Sequence, residues 1–145
     1  MEERVIKGKE RIKSKKSMRL ILEEDAEVEA SFTVEDGILE VEIIHKGKNS
    51  KSNVVLKGLA KKKADLKGKL KVEKGAEGST STLAIRGLTD GGRVEVSPGI
   101  EVYEKNARVE HSASIQEIDE EMVFYFQTRG VRKKEAKNMI TEGFL

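Results

Sequence analysis

His111 and the glutamate before it, Glu110, are the residues of this chain best suited to hold a metal ion. Imidazole and carboxylate groups both ligate iron and zinc in proteins. Consecutive residues of a straight strand face opposite ways, so a bend would be needed to bring both groups to one edge. A histidine held by structural hydrogen bonds is the alternative, and spacing alone favours that explanation.

The remaining reactive residue types form no enzyme motif. The chain has no cysteine, which excludes disulfides, thiolate nucleophiles and cysteine-ligated metal sites. It also lacks a phosphate-binding glycine loop and a paired-histidine zinc motif. The second histidine, His45, follows an apolar run, and we expect it at the surface or at an interface. We therefore predict a protein that is not an enzyme.

An enzyme acting on carbohydrates is a weaker alternative for a fold made of stacked strands. Its chemistry would need acidic residues clustered in a groove. The aspartates of this chain fall instead where we predict corners or a helix cap, for example at Asp25, Asp90 and Asp119.

Charged residues make up 37% of the chain, yet 28 basic residues nearly balance 26 acidic ones and leave a net charge of +2. This balance is typical of a solvated surface and not of a polyanion binder. The lysines at 13–16 and 61–63 have no interleaved aromatic residues, so no stacking platform for nucleic acid is expected. No apolar stretch of the sequence comes close to about 18 residues, the length needed to span a membrane. We expect a cytoplasmic protein that binds neither nucleic acid nor membrane.

The elements that position these residues follow from apolar periodicity. From about residue 18 to 116, apolar and charged residues alternate, as in Val28–Val34 and Leu66–Val72, which predicts strands with one apolar face. Between the strands, Asp, Asn or Gly stands before Ala or Gly, and these residues tolerate bent or left-handed backbone. Such corner motifs end at Ala26, Ala76, Gly92 and Ala107.

A short repeated strand–corner unit is typical of stacked coils or of a meander. The best two-residue hairpin signal is Asp36–Gly37, and such signals are otherwise scarce. Regular corners with few hairpins favour a mainly β fold built as a parallel β-helix. An antiparallel sandwich is the alternative.

The last residues change to the helical period. Asp119 can cap a first helix, which ends at Gly130, and a second helix is predicted from about Arg132 to Glu142. We thus divide the chain into a basic N-terminal segment (1–17), a β-helix core (18–116) and a C-terminal helical tail (117–145).

Two runs near the C-terminus, Ala107–Ser114 and Phe124–Val131, resemble the signature of the SufB/SufD family of iron–sulfur cluster assembly proteins. Ser97–Val102 is similar to a Pro–Tyr–Ile–Glu–Val strand of that family. The resemblance covers about Ile43 to Leu145. It implies a right-handed parallel β-helix with a short C-terminal two-helix tail.

The resemblance also implies partners. Members of this family pair as SufB with SufD or like with like, and an ABC ATPase of the SufC type binds their helical tails. We therefore expect a dimer with itself or with another SufB/SufD-like chain, and a SufC-like ABC ATPase as a further partner. The tail residues expected to bind this ATPase are Met122, Phe124, Tyr125, Arg129, Met139, Ile140 and Phe144.

The positions linked to cluster chemistry differ from those of SufB-like members. His111 matches a family histidine near the protomer interface, and Glu110 matches a glutamate before it. Ser112 falls where SufB-like members have a second glutamate, and Thr80 falls where they have a cysteine. The resemblance thus implies a SufD-type partner or a shortened paralogue, in which His111 and Glu110 would hold any iron or transient iron–sulfur cluster. A stand-alone β-helix module that has lost cluster chemistry is the alternative function.

Overall fold

The computed structural model describes residues 1–145 and contains eight strands followed by two helices. In chain order the elements are β1 (Glu2–Ile6), β2 (Lys9–Ser14), β3 (Met18–Leu22), β4 (Glu27–His45), β5 (Lys51–Val72), β6 (Thr80–Thr89), β7 (Arg93–Val102), β8 (Arg108–Glu117), α1 (Glu120–Thr128) and α2 (Lys133–Phe144). Every strand pair is parallel. The chain therefore forms a β-solenoid of about four turns, which confirms the stacked-coil prediction and excludes the sandwich.

Two walls enclose the interior of this solenoid. The long strands β4 and β5 bend in the middle and contribute to both walls. The first wall contains β1, β3, the second halves of β4 and β5, and β7. The second wall contains β2, the first halves of β4 and β5, β6 and β8.

The bend of β4 lies at Asp36–Gly37, the dipeptide with the best hairpin signal. Asp36 has a positive φ of 50°, and its carboxylate accepts hydrogen bonds from the backbone N–H groups of Lys61 and Lys62 (3.0 and 2.8 Å). This side chain therefore satisfies backbone donors of the next coil, and the dipeptide turns the chain from one wall to the other. The corner motifs at Asp25 and Gly75 also have positive φ, as their residue types predict.

Alternate side chains of both walls fill the core, as the period-two pattern predicts. Leu20, Ile43 and Phe32 have no exposed surface. At one end of the walls the core narrows, because Gly58 and Gly87 are in register. A Cβ atom on Gly87 would lie only 2.6 Å from Val94, so glycine permits the close approach of the walls.

The solenoid begins before Met18, in the part of the chain that we treated as a separate basic segment. β1 pairs with β3, and β2 pairs with β4, so both add a coil to the walls. The sheet thus extends to Glu2. Charged residues at several inward positions of this coil, such as Arg4 and Glu10, hide the alternation in the sequence.

The two helices form the predicted tail and pack on the outer surface of the second wall. Asp119 caps α1 by accepting hydrogen bonds from the N–H groups of Glu121 and Met122 (2.9 and 3.3 Å). Two outward-facing leucines of the wall are buried beneath the helices. The buried residues of this second cluster are Leu59, Leu88, Ile118, Val123 and Ala136. Neither helix is long and apolar enough to cross a membrane.

Candidate functional site

The last coil of the solenoid leaves its interior uncovered. β7 pairs only with β5, and β8 pairs only with β6, so each has one unpaired backbone edge. Their inward side chains continue the core columns, but no further coil covers them, and Ile115 is 52% exposed. We call this surface the open end. Its inward-column residues are Val96, Pro98, Ile100, Val102, Val109, His111, Ala113 and Ile115.

His111 belongs to the open end, whereas Glu110 does not. His111 is in register with the core residue Leu83, and Glu110 is in register with Thr82 on the outer face of the second wall. The two side chains therefore leave β8 on opposite faces. The structure also contains no group of three or more His, Cys, Asp or Glu side chains placed to hold a metal. Metal binding by His111 and Glu110 stays a prediction.

The other two positions that the family resemblance singled out, Ser112 and Thr80, are also exposed. Ser112 lies on the outer face of β8, in register with Ala84. Thr80 begins β6 and lies between Lys51 and Arg108 of the neighbouring coils. Both residues lie outside the inward column that contains His111. Neither side chain is therefore directed toward this histidine.

His45 is not at the surface, and our expectation for it is wrong. It lies inside the solenoid with no exposed surface. Its Nδ1 atom is 2.8 Å from the hydroxyl oxygen of Ser50, and its Nε2 atom is 2.8 Å from that of Ser52. These serines in turn contact Ser79 and Ser81 of the next coil (2.9 and 2.6 Å). Burial lowers the pKa of His45 to about 4, so the ring is neutral at pH 7.

The sequence carried a signal for this buried position. The inward residues Leu39, Val41 and Ile43 alternate up to His45, so the same period places the histidine inside. The serines of the following coils satisfy both ring nitrogens, which removes the penalty for burying a polar group.

The tail residues predicted to bind a partner differ in how far they are buried. Ile140 and Phe144 are half-buried and pack against the cluster that joins the tail to the wall. Arg129 lies with its guanidinium carbon 5.1 Å from the ring centroid of Tyr125. The other apolar members are exposed, and Phe124 has the largest exposed fraction, 66%. We call these exposed residues the tail surface: Met122, Phe124, Tyr125 and Met139.

The tail is anchored to the solenoid by polar contacts as well. Lys137 of α2 donates a hydrogen bond to the carboxylate of Asp90 at a corner of the solenoid (2.9 Å). This contact raises the pKa of Lys137. Lys57 of β5 donates to the carbonyl oxygen of Leu145 (3.1 Å). The helices are therefore fixed on one side and present the tail surface on the other.

Comparison with known proteins agrees with this architecture. Residues 38–144 match the family described as "SUF system FeS cluster assembly, SufBD core domain". An iron–sulfur cluster assembly SufBD family protein of Galdieria sulphuraria is 38% identical over 106 residues, which are 70% of this chain and 48% of the relative. A chloroplastic SufBD family protein of Arabidopsis thaliana is 35% identical over 106 residues, 70% of this chain and 19% of that relative.

The fold and these matches define a parallel β-solenoid protein of the iron–sulfur cluster assembly class. The chain belongs to the SufB/SufD family. It spans about half the length of the Galdieria relative and about a fifth of the Arabidopsis relative.

Proposed function

We propose that the chain is a non-enzymatic subunit of an iron–sulfur cluster assembly complex. In this complex it pairs through the open end and binds an ABC ATPase of the SufC type through the tail surface. The observation that carries the proposal is the open end, where core columns and two strand edges are left uncovered. We assign the complex to the cytoplasm; the printed name of the Arabidopsis relative assigns that protein to the chloroplast.

The open end suits a partner with the same fold. Unpaired strand edges are templates for pairing with another chain, and exposed apolar surface of this kind marks interaction sites. A second copy, or another SufB/SufD-like chain, would bring the same kind of uncovered coil. Such a surface can meet itself around a two-fold axis, which gives a closed dimer.

The tail surface suits a different partner. Aromatic residues and methionine are enriched in the cores of protein interfaces, and Phe124, Tyr125 and Met139 supply both types. Anchoring through Lys137 and Asp90 holds the helices in place before a partner arrives, which lowers the entropic cost of binding. The charged residues around these side chains would form the polar rim of an ATPase interface.

Iron or a transient cluster would be the cargo of this complex. His111 lies within the proposed pairing surface and offers one imidazole. Iron requires several ligands, so the partner chain would have to supply the remaining ones. Because Thr80 replaces the thiol of SufB-like members, the proposal assigns this chain the SufD-type role.

The ATPase interface is tested by co-purification. We would express the chain with the SufC-like ATPase of the same organism and measure the Kd with and without nucleotide. Phe124→Lys is expected to weaken binding at least tenfold, because losing a central aromatic costs about 2 kcal/mol or more. Val5→Lys is the matched control, since Val5 is an exposed apolar residue on β1. Failure of the unmodified chain to bind under every nucleotide condition would remove the ATPase from the proposal.

A stand-alone interaction module is the second candidate. It is favoured by the opposite orientation of Glu110 and His111, which leaves the chain without converging ligands. Anaerobic reconstitution with iron and sulfide, carried out with the pairing partner that would supply the remaining ligands, separates the candidates. A subunit that handles cargo should take up iron in a way that His111→Ala reduces, whereas for a module without cluster chemistry His111→Ala should leave the iron uptake unchanged.

A further inference from the structure

We infer that the two ends of the solenoid have opposite roles, because the ion pair between Arg4 and Glu10 blocks the first coil against stacking. Association through the open end would then stop at two chains. This inference rests on the proposed pairing, and its test is designed so that the two can fail separately.

The ion pair occupies core positions of the first coil. Arg4 of β1 is in register with Leu20, and Glu10 of β2 is in register with Val28. Leu20 is fully buried and Val28 almost so, so both charged residues stand where an apolar side chain would continue the core. The Nε atom of Arg4 lies 3.4 Å from Oε2 of Glu10, and this oxygen is buried and has no hydrogen-bond donor.

The same two columns end differently at the other side of the molecule. The column of Arg4 passes through Leu20, Ile43 and Leu70 and ends at Ile100. The column of Glu10 passes through core positions of β4, β5 and β6 and ends at Val109. One pair of columns therefore begins with a charged pair and finishes with two β-branched apolar residues.

Unpaired strand edges do not distinguish the two ends, because β1 and β2 also have one free edge each. The side chains do. A coil stacked on Arg4 and Glu10 would remove both charges from water, and the geometry at 3.4 Å recovers little of that cost. Inward-pointing charges are a recognised way to protect a sheet edge from further pairing.

The difference between the ends determines what kind of assembly forms. A solenoid that can associate through only one end stops at two chains, because both chains use the same surface for the contact. A solenoid that can associate through both ends would add chains without limit and form fibres. Arg4 and Glu10 thus act against fibre growth while the open end remains available to a partner.

Replacing the charged pair of the first coil by apolar residues tests this inference. Light scattering after size-exclusion chromatography would give the mass of the full chain carrying Arg4→Ile and Glu10→Val over a hundredfold range of concentration. We expect its mass to rise beyond that of the unmodified chain. The control is Arg11→Ile with Glu29→Val, which removes an outward-facing Arg–Glu pair from β2 and β4 and should leave the mass unchanged. A folded Arg4→Ile/Glu10→Val variant with unchanged mass would overturn the inference.

A second variant covers the case in which the first does not fold. Ile100→Arg with Val109→Glu places the same charged pair in the same columns at the open end, and we expect it to be a single chain. If it remains a pair, the charged pair does not block stacking and the inference fails. If the unmodified chain is already single, the proposed pairing fails, yet Arg4→Ile/Glu10→Val should then form a pair through the first coil.

Discussion

The Nε2 atom of His45 lies 2.8 Å from the hydroxyl oxygen of Ser52, inside the solenoid. Nδ1 of the same ring lies 2.8 Å from Ser50, whose hydroxyl donates to the carbonyl oxygen of Gly47. With that donor used, Ser50 accepts from Nδ1–H, and Ser52 donates to Nε2. A neutral ring satisfies this arrangement, whereas a protonated ring would need a second acceptor.

The buried histidine predicts a loss of stability in mild acid. Its folded-state pKa of about 4 is below the ordinary value of 6.5, so the unfolded chain binds a proton first as the pH falls. Stability from this group is complete above pH 6.5 and declines until the pH reaches about 4. Between about pH 7.5 and about pH 5 we expect the free energy of unfolding to fall by about 2 kcal/mol.

Urea unfolding at the two pH values measures this change. His45→Gln removes the titrating group and should show a much smaller pH dependence, although it is less stable at neutral pH. His111→Gln is the matched control, because His111 is exposed, and it should retain the full dependence. Equal pH dependence in the unmodified chain and in His45→Gln would contradict the assignment.

The narrow part of the core predicts a strict requirement for glycine at position 87. The Cβ atom of Gly87→Ala would lie 2.6 Å from Val94, so the walls would have to move apart. We expect a loss of about 1–3 kcal/mol in the free energy of unfolding, as for other overpacked cores. Gly8→Ala is the control, since a Cβ there has no atom within 4 Å, and it should change stability little.

The contact between Lys137 and Asp90 predicts how firmly the tail is held. Asp90→Asn removes the charge that α2 contacts, and we expect about 1 kcal/mol less protection of α2 amides from hydrogen exchange. Glu27→Gln breaks a looser, more exposed pair with Lys9 and should have almost no effect. Unchanged exchange of α2 in Asp90→Asn would show that apolar packing alone anchors the tail.

Much of the fold could be predicted because local rules and the tertiary structure agree. Period-two alternation identified the strands, the corner at Gly75 has the left-handed backbone its residue type permits, and Asp119 caps α1. The first coil was missed, because Arg4 and Glu10 interrupt the apolar pattern at inward positions.

The site was less predictable than the fold, because it depends on which coils cover one another. His111 was singled out by its type, but the open end around it exists because nothing stacks on β7 and β8. Likewise, Ile140 and Phe144 pack against the buried cluster that contains Leu59 and Leu88, two outward residues with no local signal. Long-range packing of this kind is invisible to sequence periodicity.

Sedimentation equilibrium of the chain and of Ile115→Lys tests the central claim, pairing through the open end, most directly. We predict that the unmodified chain is a pair, and that Ile115→Lys weakens pairing at least tenfold, about 1.4 kcal/mol. The control Ile38→Lys replaces an outward-facing isoleucine that is 63% exposed, and should pair normally. A single chain at every concentration, or equal pairing of the unmodified chain and Ile115→Lys, would contradict the account.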